Sequence, residues 1–247
     1  MIIDSHVHLK HGDAAGTEYA PDRIVETMDA AGIDRSVVFA MRTTTRRSIE
    51  MADDAVRRFP DRLIPYVYAL PSFEQPALDE IDEAIAEHGA RGIKIHEGEC
   101  SLRPHVIDPV FELATQRDVP CLIDCRGNVA AMQRITRRFS DATLIIAHLG
   151  RYLCEDAGLI DRFIRLAEEC ENVVLDASGV VLTQKITEAV RRVGSGRVVW
   201  GSDGPQEEPD AATFARAELA KIHRLGLTAE QKADLLGGTI ARLVGAE

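Results

Sequence analysis

Apolar positions in this chain follow two alternating rhythms. Short runs rich in valine, isoleucine and leucine are each followed by a longer stretch in which apolar residues return every three or four positions. The first rhythm suits parallel strands buried on both faces, and the second suits helices that bury one side. The strand-like runs lie at residues 1–9, 36–41, 63–70, 92–96, 120–125, 143–148, 172–177 and 197–202. The helical stretches lie at 21–31, 45–59, 75–88, 104–117, 129–139, 156–169, 183–193 and 211–225, with a last one at 228–244. Pro21 and Pro104 suit first helical turns, and Gly32, Gly89 and Gly226 follow helical runs as stops. Thr228-Ala229-Glu230-Gln231 has the form of a capping box.

Eight strand-then-helix units in 247 residues match the size of a distorted (β/α)8 TIM-type barrel, with 228–244 as an extra C-terminal helix. An open doubly wound sheet would be favoured by a glycine-rich phosphate loop after the first strand, and none is present. No low-complexity or Pro/Ser-rich linker divides the chain, so residues 1–247 are expected to form one domain. The composition, 45% hydrophobic and 28% charged, supplies a sizeable core. A net charge of -11 argues against nucleic acid and anionic membranes as partners, because both are negative. It leaves room for a small anionic substrate and for self-association. Five cysteines, with no Cys-x-x-Cys pair, read as reduced thiols. With no basic leader and no apolar run near the ~20 residues of a membrane span, the cytoplasm is the expected location.

The chemistry lies at the strand ends, which in a parallel barrel surround the active site. His6 and His8, Arg42, His96, Asp124, His148 and Asp203 stand at or just beyond six of the eight candidate strands. His6 and His8 are two apart on one strand, so both rings project to one face and can reach a single cation about 2.1 Å away. Asp4 shares their parity and could orient a ring or cap the barrel floor. Asp203, before Gly204-Pro205, could bind the same metal and accept a proton from its water, although Asp before Gly-Pro also forms turns. His148 closes an apolar run and reads as a proton-transfer group or ligand. Taken alone, it could equally be a satisfied core histidine. Lys94 is open between a carbamylated ligand, a substrate contact and an interior charge. Arg42, Arg126 and Arg151, with His96, could hold a substrate carboxylate, and for each arginine a plain surface-loop role is as good a reading. His11, His88, His105 and His223 look like ordinary loop or helix residues, with His105 the one to reconsider.

Together, Ile3-Asp4-Ser5-His6-Val7-His8, Gly92-Ile93-Lys94-Ile95-His96, Ile146-Ala147-His148-Leu149-Gly150 and Gly201-Ser202-Asp203 resemble the amidohydrolase superfamily. The resemblance is to its amidohydrolase-related branch of decarboxylases, hydratases and lactonases, which includes aminocarboxymuconate-semialdehyde decarboxylase. It spans nearly the whole chain and implies a distorted barrel with one divalent metal, usually zinc. His6 and His8 match the strand-one ligands, Asp203 the strand-eight aspartate, and His148 the strand-six histidine that acts on substrate or water. At strand five, where the family usually has a histidine, this chain has Asp124. Asp124 then becomes a fourth ligand, which opens the site to manganese as well as zinc.

The resemblance implies a hydrolase in which His6, His8, Asp124 and Asp203 hold the metal. His148 and Asp203 would move protons around a metal-activated water, and arginines would hold a carboxylate. A lyase working by non-oxidative decarboxylation, or a metal-independent lactonase, is the alternative on the same fold. A barrel that has lost catalysis and only binds is the alternative from another class.

Overall fold

A computed structural model describes all 247 residues. Its strands are all parallel where they pair. Each is joined to the next through a helix, apart from one break in the third. β1 (Ile3–Lys10) pairs with β2 (Arg35–Ala40), which pairs with β3 (Leu63–Pro65). A second ladder runs in order through β4 (Val67–Tyr68), β5 (Ile93–His96), β6 (Cys121–Asp124), β7 (Leu144–Ile146), β8 (Val173–Asp176) and β9 (Val198–Val199). β3 and β4 together make the third barrel strand. Their break falls at Tyr66, directly after Pro65, which has no N–H for the ladder. Tyr66 donates back to Val38 O, and Val67 onward to Gly92 O.

Between β1 and the segment after β9, backbone bonds close the ring. Ser5 donates to Trp200 O at 3.2 Å, Asp203 to His6 O at 3.0 Å and His8 to Gly204 O at 2.7 Å. Gly201 allows this approach, because a Cβ there would stand 2.7 Å from His6 Cβ. The closed barrel is therefore the observed form of the eight expected units.

Alternation along the strands separates two apolar layers. Val37, Phe39, Ile64, Tyr66, Leu122 and Ile145 fill the barrel. Val38, Ala40, Ile93, Ile95, Leu144 and Ile146 face the helices. The surrounding helices are α1 (Pro21–Ala31), α2 (Thr45–Arg58), α3 (Leu78–Ala86), α4 (Pro104–Arg117), α5 (Val129–Arg138), α6 (Ala157–Glu169), α7 (Gln184–Val193) and α8 (Ala211–Arg224). Thr44, Asn128, Asp156 and Asp210 cap four of them by accepting a backbone N–H.

Three expectations change. The helix expected from residue 75 begins at Leu78, after a left-handed Ala77. The expected 228–244 helix is three pieces. α9 (Ala229–Ala233) carries the anticipated capping box on Thr228 and Gln231, a wide turn covers Asp234–Gly238, and α10 (Thr239–Val244) follows. Ile240, Ala241 and Val244 join Ile3 in the barrel's inner core, so this segment has to bend under the floor instead of running straight. Finally, Asp4 shares sequence parity with His6 but not its face. Pairing with β2 slips between Asp4 and Val7, and such an irregularity reverses the faces that follow it. Asp4 lies beside Ile24, Met28 and Ala215, on the helix side. No helix is long and apolar enough to cross a membrane.

Candidate active site

A cavity of about 940 Å³ opens at the C-terminal ends of the strands. Its floor is His6, His8, Lys94, Asp124, His148 and Asp203, and its upper wall includes His11, His96, Arg126, Arg151, Tyr152 and Gln206. Every floor residue is less than 9% exposed, so charges there act through a poorly screening medium.

β1 delivers both rings of the His6–His8 pair to Asp203. Its Oδ1 lies 3.1 Å from His6 Nε2 and 3.0 Å from His8 Nε2. Asp4 acts on the backbone instead of on an imidazole. Its Oδ1 accepts the N–H of His6 at 3.1 Å and of Ser202 at 2.8 Å, tying the first strand to the eighth. Burial raises the Asp4 pKa to about 7 against those hydrogen bonds. Burial also keeps both histidines neutral: it lowers His6, helped by Lys94, and takes His8 down to about 3 despite Asp203. Asp203 remains ionised, because the surrounding histidines outweigh its desolvation.

Lys94 turns inward from β5, 1% exposed. Its Nζ is 2.9 Å from His6 Nε2 and 5.0 Å from the Phe39 ring centroid. Burial lowers its pKa, while Asp124, Asp203 and Asp176 pull the other way. Of its three sequence readings, interior charge is the one this placement favours.

β7 stops at Ile146, two residues earlier than the expected strand. His148 and Leu149 follow with φ of 59° and 49°. Arg42, Arg126 and Asp203 also sit just past strands with positive φ. Left-handed backbone costs an L-residue on the order of 1–2 kcal/mol, and such strain gathers where a side chain must be aimed. The turn aims His148 Nε2 at Asp124 Oδ2, 3.6 Å away. Burial works against the His148 imidazolium, but Asp203, Asp124 and Asp176 outweigh it and raise its pKa to about 9.

Asp124 stands apart from the His6–His8–Asp203 group, whose ligand atoms all lie within 4.8 Å of one another. Its Oδ2 faces His148 and, at 3.4 Å, His96 Nε2, and its Oδ1 accepts the Arg126 N–H at 2.9 Å. Gly98 N–H donates to His96 Nδ1 at 3.0 Å, leaving the His96 proton on the side of Asp124. Desolvation would raise the Asp124 pKa, but His148, His96 and Lys94 hold it well below the usual carboxylate range.

Of the three arginines, Arg126 and Arg151 line the cavity. Arg42 does not: its guanidinium donates to Asp13 O, and its N–H goes to Glu99 at 3.1 Å. His105 lies outside the cavity against Phe73. His11 proves to be part of the wall, its ring 4.4 Å from that of His8 and its Nε2 2.9 Å from Gln206. Sequence reasoning also passed over Asp176 and Ser178. Asp176 Oδ2 is 3.0 Å from His6 Nδ1, and Ser178 Oγ is 3.0 Å from His148 Nδ1. Asp176 was legible as a lone carboxylate closing the apolar run Val173-Val174-Leu175. Ser178 had no such signal.

The floor suits a divalent cation. Two imidazole nitrogens and a carboxylate oxygen converge from His6, His8 and Asp203, a donor set used by zinc and manganese. Three buried carboxylates, Asp124, Asp176 and Asp203, face only Lys94 and the raised His148 as cations, so the cluster has negative charge to offset.

Residues 3–246 match the model of a protein family described as Amidohydrolase. No curated protein matches the chain by sequence. Among solved structures, it is similar to an amidohydrolase from Burkholderia multivorans with bound zinc, at 19% identity and TM-score 0.79 over 99% of each chain. It is also similar to 5-carboxyvanillate decarboxylase from Sphingomonas paucimobilis, at 14% identity and TM-score 0.75 over 99% of this chain and 98% of that one. A third is 4-oxalomesaconate hydratase from Rhodopseudomonas palustris, at 17% identity and TM-score 0.71 over 100% and 96%. At such identities the likeness speaks for the barrel fold alone.

Proposed function

The chain belongs to the amidohydrolase family, and on that premise we propose that it is a metal-dependent hydrolase acting on a small, carboxylate-bearing molecule. The observation that carries this reading is the meeting of His6 Nε2 and His8 Nε2 on Asp203 Oδ1, at 3.1 and 3.0 Å, on the floor of the barrel's mouth. His6, His8 and Asp203 would hold one divalent ion, zinc in the first place and manganese in the second. When bound, such an ion supplies Lewis acidity, lowering the pKa of a water or polarising a carbonyl oxygen.

The chain's own groups do the rest. His148 exchanges a proton with substrate through Nε2, the ring nitrogen on the Asp124 side. Asp203 accepts a proton at the cavity floor. Asp124 works as the carboxylate that holds His148 and His96 in place, which supports three protein ligands in preference to four. Arg126 and Arg151 have no carboxylate partner within 4.0 Å and are free to bind one on the substrate. The five cysteines, all buried and unpaired, suit the reducing cytoplasm.

One observation favours a second reading. With its pKa raised to about 9, His148 is a proton donor at neutral pH, which is what non-oxidative decarboxylation needs at the carbon that loses carbon dioxide. Carbon dioxide release from a candidate acid separates this lyase from the hydrolase.

Metal content and turnover test the main proposal together. Protein purified without chelator should carry close to one divalent ion and lose turnover when the ion is removed. Less than about a tenth of an equivalent, with turnover untouched by chelation, overturns it. Ligand binding without turnover on any acid would favour an inactive binding barrel.

A further inference from the structure

His6 and His148 each use one ring nitrogen in the chemistry above, and the other nitrogens of both rings meet at Asp176 and Ser178. These two side chains stand at the end of β8, completely buried. The Ser178 N–H donates to Asp176 Oδ1 at 3.0 Å, which sets the carboxylate plane and turns Oδ2 to His6 Nδ1 at 3.0 Å. The Ser178 hydroxyl gives its proton to that same Oδ2, so its oxygen is left as an acceptor. That oxygen and the Ser178 carbonyl each lie 3.0 Å from His148 Nδ1. A carbonyl cannot donate, so the proton in that contact belongs to His148 Nδ1. On the other ring, the Lys94 ammonium is 2.9 Å from His6 Nε2. Asp176 is held as a carboxylate and can only accept, so the contact at His6 Nδ1 requires its proton there. On the neutral ring this leaves Nε2 bare between Lys94 Nζ and Asp203 Oδ1, 3.1 Å away.

We propose that Asp176 and Ser178 are the positioning pair of this site, holding both rings protonated at Nδ1. His6 thereby turns a bare Nε2 to the metal position, and His148 turns its Nε2 to the substrate. Outer carboxylates commonly fix a ligating histidine in this way. Here one carboxylate, extended by one hydroxyl, serves the ligand and the proton-transfer histidine together. His6, His148 and Asp176 also have the spacing of a metal group. Because His6 Nδ1 carries a proton to the carboxylate and His148 Nδ1 carries one to Ser178, that group is a hydrogen-bond network. The metal part of this inference rests on the function proposed above, while the tautomer part stands without it.

Proton–nitrogen correlation spectra of metal-free protein labelled with nitrogen-15 histidine test the pair directly. In the wild type, His6 and His148 should each show a protonated Nδ1. In Asp176→Asn the Ser178 N–H still requires an acceptor, so the amide oxygen takes the Oδ1 place and the NH2 group faces His6 Nδ1. His6 should then switch to the Nε2–H form, and affinity for added zinc should fall by about 10- to 100-fold. Either ring protonated only at Nε2 in the wild type overturns the proposal, as does Asp176→Asn with His6 still protonated at Nδ1. If that variant does not fold, the wild-type spectrum decides. Wild type that shows both Nδ1 protons but takes up no zinc overturns the metal reading of the function and leaves the positioning pair standing.

Discussion

The His6 Nε2 lone pair is claimed twice, by the Lys94 ammonium 2.9 Å away and by the metal ion that the His6–His8–Asp203 group would hold. The two cations repel across a dry floor. Lys94→Met should therefore bind zinc more tightly, by about tenfold or about 1.4 kcal/mol, as read by competition with a chromogenic chelator. Weaker binding would mean that Lys94 serves the metal instead of competing with it. His148 gives a prediction in pH. Its folded pKa, about 9, lies above the ordinary histidine value of 6.5, so its imidazolium adds stability that is fully present below about pH 6.5. That stability is lost as pH rises through about 9. The stability of metal-free wild type relative to His148→Gln, from urea midpoints, should fall across this window, and a flat difference would count against the charged ring. These residues were visible in sequence as strand-end polar groups. Which carboxylate serves which ring was not, because Asp124 and Asp176 differ only in which ring the fold turns toward them.

At the level of elements, the loops just after the strands do the aiming, and they do so with unfavourable backbone. Gly150 ends the turn that carries His148, at φ 107°, with Phe163 of α6 packed where a side chain would start. A Cβ there would meet the Phe163 ring at 2.0 Å. Gly150→Ala should cost roughly 2–4 kcal/mol, from left-handed strain and overpacking together. A urea midpoint unchanged from wild type would mean the turn yields freely. Strand and helix positions were largely legible, because burial on both faces and burial on one stripe write different periods into the sequence. The split at Tyr66, the slip between Asp4 and Val7, and the bend at Asp234–Gly238 were not. Each depends on what the neighbouring segment offers, as at the barrel floor, where the C-terminal segment must turn to place Ile240 and Val244 against Ile3.

For the whole molecule, burial of all five cysteines makes thiol chemistry a reporter of global opening. Burial raises Cys100 to about 11 and Cys125 to about 12, so thiolate at those two is scarce at pH 8 even before access is considered. Ellman's reagent should leave all five unreacted in the native protein and titrate all five in denaturant. Fast reaction of any one would show local opening beside it.

By itself, the sequence determined the barrel, the inward pair His6 and His8, and the supply of carboxylates and histidines at the mouth. Periodicity and strand-end position are local properties, and they survive being read one residue at a time. Only the tertiary structure decided how those groups divide the work. Closure of β1 against residues 200–204 brings Asp203 to both histidines, the turn after β7 gives His148 to Asp124, and β8 slips Asp176 behind His6. A carboxylate's role is set by the charges and protons within a few ångströms, and those neighbours come from strands far apart in the chain.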